Sequence, residues 1–274
     1  MENKFGDNQP RKKIGIALGS GGFRGPAHVG VIKALAKNNI PIDFIAGSSI
    51  GAWVGAHYAI YQDPERLEAD ALRDQREKIS CFLDLNWNNG LVSGKKLQVL
   101  LEKYFNHSTF ADTKIPLRIV ATDLVSGKPH LLDSGSIASA VRASISIPLT
   151  FTPVKIDGMQ LVDGGISNPV PDNEAKAMGA DIVIGVNLYN DYLYKGARLT
   201  LPTVVTRSIE IMLIRLAENT LDASDIVIQP HTADFFKTSR LQRYFRPSII
   251  EKLIAEGEKS AEAAIPEIRR LMEG

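Results

Sequence analysis

The stretch Ile42-Asp43-Phe44-Ile45-Ala46-Gly47-Ser48-Ser49-Ile50-Gly51 decides how the rest of this chain is read. Its first half is short, apolar and rich in β-formers, as a buried strand is. Its second half matches G-x-S-x-G, and residues 52–60 then supply helix formers with no breaker apart from Gly55. Strand, sharp turn and helix in that order place Ser49 at the apex of an elbow. The turn pushes the serine hydroxyl clear of the sheet, and only small residues such as Gly47 and Gly51 fit on either side. The helix that follows aims its first N–H groups at the same point, where they stabilise negative charge. That arrangement suits acyl transfer. Glycine and serine also build ordinary turns, so the elbow takes its meaning from its surroundings.

Those surroundings begin upstream. Ile14-Gly15-Ile16-Ala17-Leu18 is a buried-strand run, followed by the loop Gly19-Ser20-Gly21-Gly22-Phe23-Arg24-Gly25. An amphipathic helix comes next, with Val29, Ile32, Leu35 and Ala36 at helical spacing, ended by Asn38-Asn39 and Pro41. Together with the strand leading to Ser49 this is a βαβ unit, and such crossovers are right-handed. Both loops therefore leave the carboxyl ends of parallel, neighbouring strands, where open α/β sheets place their sites. Glycines there let bare backbone N–H groups approach an anion.

Three chemistries compete for this loop. A dinucleotide fingerprint fails on detail, since Arg24 stands at the third glycine of G-x-G-x-x-G and Gly25 falls one place late. The acid expected at the end of the second strand is also missing, because that strand ends in Gly47-Ser48-Ser49. A phosphate loop needs a terminal Gly-Lys-Ser/Thr that the loop lacks. An oxyanion hole serving Ser49 uses both loops together, and beside an elbow serine it is preferred to a plain glycine turn.

Ser49 needs a base. The chain has five histidines, His28, His57, His107, His130 and His231. In the α/β-hydrolase order of serine, acid and histidine only His231, after the strand-like Ile226-Val227-Ile228, comes late enough. In that fold, however, the elbow follows several strands rather than the second. The stronger partner is Asp163, within Met159-Gln160-Leu161-Val162-Asp163-Gly164-Gly165. Asp157-Gly158 reads as a hairpin turn, Leu161-Val162 as the returning strand, and the carboxylate stands at its end with two glycines removing side-chain bulk beside it. An ordinary Asp-Gly turn is the alternative, but Gly164-Gly165 and the following Ile166-Ser167-Asn168-Pro169-Val170-Pro171 are more elaborate than a hairpin requires.

With these residues assembled, the chain resembles the patatin-like phospholipases, in particular the compact bacterial members. Three blocks match in order: Gly19 to Gly25, Gly47 to Gly51, and Asp163-Gly164-Gly165. Val120-Ala121-Thr122-Asp123-Leu124 with Ser126-Gly127, and Ala140-Val141-Arg142-Ala143-Ser144-Ile145-Ser146-Ile147-Pro148, also look like the family, so the likeness covers roughly residues 13 to 186. The resemblance implies a three-layer α/β/α fold with a mostly parallel central sheet. It implies a Ser-Asp dyad without histidine, metal or cofactor, Ser49 as nucleophile and Asp163 as proton acceptor. Gly21 and Gly22 fall where the family supplies oxyanion N–H donors, and Arg24 matches the basic residue of that loop. Ser20 departs from the pattern, standing where plant members have the first of three glycines. A lipid ester is the implied substrate, cleaved by a phospholipase A or lysophospholipase type of reaction. A soluble carboxylesterase or thioesterase with the same dyad, and a non-catalytic protein retaining the fold, are the alternatives.

Composition agrees with one α/β domain. Residues 1–12 are polar and lack an apolar h-region, so they are expected as a disordered tail before a domain over 13–274. Later strands are expected near 117–121, 182–186 and 226–228, and helices near 64–79, 95–105, 203–221 and 248–272. A net charge of +1 offers nothing to nucleic acid, and the single cysteine, Cys81, fits a reducing compartment. No stretch reaches the length of a membrane span, so a cytoplasmic protein with at most transient contact at a membrane surface is expected. The sequence carries no signal for oligomeric state. Two segments are candidates for lining or covering an acyl channel, Cys81-Phe82-Leu83-Asp84-Leu85-Asn86-Trp87 and Leu188-Tyr189-Asn190-Asp191-Tyr192-Leu193-Tyr194. The helix expected at 203–221 is apolar nearly all round, so it is buried, lies at a subunit contact or meets lipid, with burial the default.

Overall fold

The computed structural model describes residues 11–73, 75–81, 85–86, 91–189, 200–233, 235 and 246–274. The elements run β1 (Ile14–Leu18), α1 (Pro26–Lys37), β2 (Phe44–Ser48), α2 (Ile50–Tyr61), α3 (Pro64–Leu72), α4 (Gln75–Cys81), β3 (Leu85–Asn86), β4 (Leu91–Val92) and α5 (Lys95–Tyr104). They continue β5 (Leu117–Asp123), β6 (Pro129–Leu132), α6 (Ile137–Ser144), β7 (Val154–Ile156), β8 (Met159–Val162), α7 (Asp172–Ala177), β9 (Ile182–Val186), α8 (Leu201–Glu218), β10 (Ile226–Ile228) and α9 (Pro247–Glu273). The main sheet has the order β10-β9-β1-β2-β5-β8-β7, with β6 also paired to β5. The run from β10 to β5 is parallel. The strands β6, β7 and β8 are antiparallel to their neighbours, so the sheet is mixed.

Every residue of β1 and β9 is buried, as expected of parallel strands covered on both faces. The β1–α1–β2 unit is present, with β1 and β2 adjacent and parallel from Gly15–Phe44 to Leu18–Gly47. The expected hairpin is present too: β7 and β8 are joined through Asp157 and Gly158, both at positive φ.

One feature of the sheet builds the site. On a single edge of β5, Ser48 of β2 pairs with Val120 and Val162 of β8 pairs with Thr122, while β6 occupies the opposite edge. Since β2 runs parallel to β5 and β8 antiparallel to it, the two strands point at each other along that edge and stop beside Ala121. The next residues are Ser49 and Asp163. Their meeting is thus a consequence of strand direction.

Two expectations change. The helix expected at 64–79 is divided, because Arg73 is extended (φ −79°, ψ 156°) and ends α3. Lys78 of α4 then donates to the carbonyls of Asp70 and Ala71 at the end of α3. Helix α8 is not buried. It packs through Ile214 and Ala217, whereas Leu201 is 78% and Met212 62% exposed, with Val204, Val205 and Ile211 also exposed. Apolar composition alone does not say which faces of a helix find a neighbour. Of the two candidate channel segments, Cys81, Leu188 and Tyr189 are buried. Residues 82–84, 87 and 190–194, like the expected tail over 1–10, lie outside the described residues.

Candidate active site

Ser49 caps α2 with φ 53° and ψ −122°, a conformation that costs a non-glycine residue on the order of 1–3 kcal/mol and has to be enforced by its surroundings. Two close approaches enforce it. A Cβ on Gly51 would lie 2.0 Å from the carbonyl oxygen of Leu18, and one on Gly47 would lie 2.7 Å from Cα of Ala52. The elbow is also tied from the side: the Ser49 N–H donates to Ser144 Oγ at 2.8 Å, and Ser144 Oγ donates to the Val120 carbonyl at 2.6 Å.

Asp163 follows β8 on relaxed backbone (φ −50°, ψ 131°). Its N–H donates to the Ser146 carbonyl at 3.0 Å, and its own carbonyl accepts from Thr122 Oγ1 at 2.8 Å. Ser49 Oγ donates to Asp163 Oδ2 at 2.6 Å, and the Gly165 N–H donates to Oδ1 at 2.8 Å. Both residues are buried. Burial pushes the Asp163 carboxyl up to about 6, although the bonds from Ser49 and Gly165 work against the shift. Gly164 must lack a side chain, since a Cβ there would meet the Val120 carbonyl oxygen at 2.1 Å.

The glycine loop is anchored through its first residues, Gly19 N–H to the Val186 carbonyl and Ser20 N–H to the Pro169 carbonyl. It abuts the elbow closely: a Cβ on Gly25 would meet Ile50 Cγ1 at 2.1 Å. Gly21 is extended, and Gly22 takes φ 57°. The N–H groups of Gly21, Gly22 and Ile50 donate to no acceptor among the described residues. Arg24 is buried; its Nη1 donates to the Gly21 carbonyl at 3.1 Å and its Nη2 to Glu210 Oε1 at 2.9 Å. Arg24 therefore grips the loop's backbone through the Gly21 carbonyl.

An apolar pocket of about 170 Å³ opens at Ser49. Gly22, Phe23 and Ile50 border it beside the serine, and Trp53, Leu100 and Phe151 are among the side chains that extend it between α2 and the α3–α5 layer. Lys78 is the one charged side chain in the lining among the described residues.

His28 and His57 are engaged elsewhere. His28 is fully buried, its pKa is pushed down to about 4 by desolvation, and Nε2 lies 2.7 Å from the Gly19 carbonyl, so the neutral ring donates there and props the glycine loop. His57 Nε2 lies 3.0 Å from Asp70 Oδ2, and burial lowers its pKa. His231 follows β10, three strands from β2, or about 14 Å at the usual strand spacing. No three His, Cys, Asp or Glu side chains among the described residues come together as a metal site.

The profile of the Patatin-like phospholipase family matches residues 16–175. The chain belongs to that family. It is 36% identical over 183 residues to an uncharacterized NTE family protein of Mycobacterium bovis, covering 67% of this chain and 50% of that one. It is 33% identical over 181 residues to Lysophospholipase nte1 of Aspergillus fumigatus, 65% of this chain and 12% of the other. Patatin-like phospholipase domain-containing protein 7 of Rattus norvegicus is 32% identical over 181 residues, covering 64% and 13%. The patatin-family chain thus spans about half the length of its mycobacterial relative and a much smaller share of the other two. Among solved structures, VipD from Legionella pneumophila shares the fold, with a TM-score of 0.52 at 14% identity over 96% of this chain and 67% of that one.

Sequence reasoning had no means of finding Ser144, Thr122 or Glu210 as supports of the site. The first two lie inside blocks that look like the family, but a hydroxyl's partner is a tertiary fact. Glu210 lies on a helix with no recognisable motif.

Proposed function

We propose that the chain is a lipid acyl hydrolase that cleaves fatty acyl esters through a Ser49–Asp163 dyad and an acyl-serine intermediate. The observation that carries this reading is the 2.6 Å bond to a buried Asp163 carboxylate from the Oγ of Ser49, which lines an apolar pocket. A serine hydroxyl is a poor nucleophile until a base within hydrogen-bond reach accepts its proton. A carboxylate with an ordinary pKa is a weak base, and the dry site around Asp163 strengthens it.

The acyl chain enters the pocket and its ester carbonyl rests beside Ser49. Oγ attacks the carbonyl carbon while Asp163 takes the proton, and the C=O electron pair moves to oxygen. The resulting oxyanion is held by the free N–H groups of Gly21 and Gly22, assisted by the start of α2. Such donors are typically worth about 3–4 kcal/mol each. The tetrahedral centre collapses, the alcohol or lysolipid leaves with the proton from Asp163, and acyl-Ser49 remains. Water then gives its proton to Asp163, attacks the acyl carbon and restores Ser49 with release of the fatty acid. No step calls on a histidine or a metal. The family and its lysophospholipase-named relative support a lipid ester as the substrate. Residues 13–274 form the hydrolase domain in this reading, acting in the cytoplasm with transient contact at a membrane surface.

A fluorophosphonate probe tests the reading. Wild-type protein should gain one adduct mapped to Ser49 and release fatty acid from lysophospholipid. Folded Ser49→Ala should take no adduct and lose at least about 10⁴-fold in turnover. Full activity in folded Ser49→Ala would end the covalent mechanism. Hydrolysis of short soluble esters or thioesters with none of lysophospholipid would favour a carboxylesterase or thioesterase instead.

A further inference from the structure

We infer that Glu210, on helix α8, is a positioning residue of this reaction: it holds the Arg24 guanidinium in the orientation that sets the Gly21–Gly22 peptide and thereby aims the Gly22 N–H at the oxyanion. The inference rests on the acyl-hydrolase reading of Ser49.

The Gly21 oxygen accepts from the Arg24 backbone N–H at 3.3 Å and from Arg24 Nη1 at 3.1 Å. A trans peptide is planar, with its C=O and N–H pointing in opposite directions. Fixing the Gly21 oxygen therefore fixes the direction of the Gly22 N–H, which donates to no acceptor among the described residues and belongs to a residue lining the pocket at Ser49. Two glycines in succession leave this peptide sterically free to rotate, so its orientation depends on the bonds that hold the Gly21 oxygen.

The side-chain bond comes from the Arg24 guanidinium, and that guanidinium is held from outside the loop. Its side chain is only 4% exposed and packs against the rings of Phe23 and Tyr189. Its Nη2 donates to Glu210 Oε1 at 2.9 Å, and the second oxygen of Glu210 accepts from Arg207 Nη1 at 3.0 Å. A buried guanidinium is stabilised by a charged, well-directed acceptor much more than by a neutral carbonyl. Glu210 provides that acceptor while Arg207, one turn away on the same helix, steadies the carboxylate. The relay Arg207–Glu210–Arg24–Gly21 thus runs from the surface helix to the oxyanion loop, with Glu210 touching no reacting atom.

A double-mutant cycle with a short soluble ester below its micelle concentration tests this. Glu210→Gln keeps the size of the side chain and removes its charge. The expected result is a loss of about 10-fold or more in kcat with KM changed less than about two-fold, since the oxyanion forms only as the transition state is approached. In an Arg24→Gln background the same substitution should add less than about two-fold, because its effect travels through Arg24. A purely structural role would lower stability without this kcat–KM split or this dependence on Arg24. Melting curves accompany each variant, and Glu210→Asp repeats the cycle if Glu210→Gln does not fold. Wild-type protein that neither takes the fluorophosphonate nor hydrolyses ester would remove the acyl-hydrolase reading and this inference with it. Wild-type protein that does both, with unchanged kcat in Glu210→Gln or equal losses in the two backgrounds, would overturn this inference alone.

Discussion

Ser49 and Asp163 arrive at one point from opposite halves of the sheet, and they are held there by different means. Ser49 follows a parallel strand on strained backbone, with φ 53°, and depends on backbone contacts at Gly47 and Gly51 and on the bond its N–H donates to Ser144 Oγ. Asp163 ends an antiparallel strand on relaxed backbone. It needs room more than force: Gly164 lets the turn press against Val120, and Gly165 donates to the carboxylate. The difference teaches where each half of the site is vulnerable. Ser49 is sensitive to anything that releases strain, and Asp163 to anything that admits water or a positive charge.

Apart from removal of Ser49 or Asp163 itself, the largest effect expected from testing this contrast concerns the glycine loop beside the elbow. Gly22→Ala should lower the acylation rate on the order of 100-fold, with a smaller effect on substrate binding, if its N–H is an oxyanion donor. Because Gly22 has φ 57°, alanine also costs about 1–2 kcal/mol of stability, so a melting curve must accompany the kinetics. A folded variant with normal turnover would show that the loop is only a turn.

A smaller effect compares the two supporting hydroxyls directly. Ser144→Ala leaves the buried Ser49 N–H without its acceptor and loosens the strained elbow, a loss of about 1–3 kcal/mol in stability with several-fold lower kcat. Thr122→Val removes the bond to the Asp163 carbonyl, where relaxed backbone has no strain to release. It should cost less activity than Ser144→Ala. The reverse order, measured in the same ester assay, would contradict the assignment of strain to the serine side.

The parallel half of the molecule was legible in the sequence because its signals are local. Alternating strand, glycine loop, amphipathic helix and elbow occupy residues 14–60 without interruption, and each supplies its own boundary. The hairpin before Asp163 was legible for the same reason, through Asp157-Gly158. The end-on meeting of β2 and β8 on β5 was not, since it joins side chains 114 positions apart through a third strand. Nor was the break at Arg73, where a helical pattern continues through a residue whose backbone is extended. The exposure of the outward face of α8 was not legible either, because apolar side chains look alike in a sequence whether covered or not. Glu210 left no trace, as its meaning lies wholly in the position of Arg24.

The central claim, that a desolvated Asp163 is the base for Ser49, is tested most directly by the pH dependence of kcat/KM for a soluble ester. The base must be ionised to accept a proton, and burial raises its pKa to about 6. Activity should therefore be level above that value and fall tenfold per pH unit below it. Folded Asp163→Asn should lose at least about 10³-fold at every pH, with His231→Ala retaining the wild-type profile. An inactive His231→Ala together with an active Asp163→Asn would contradict the account and put a histidine in the place of the dyad's carboxylate.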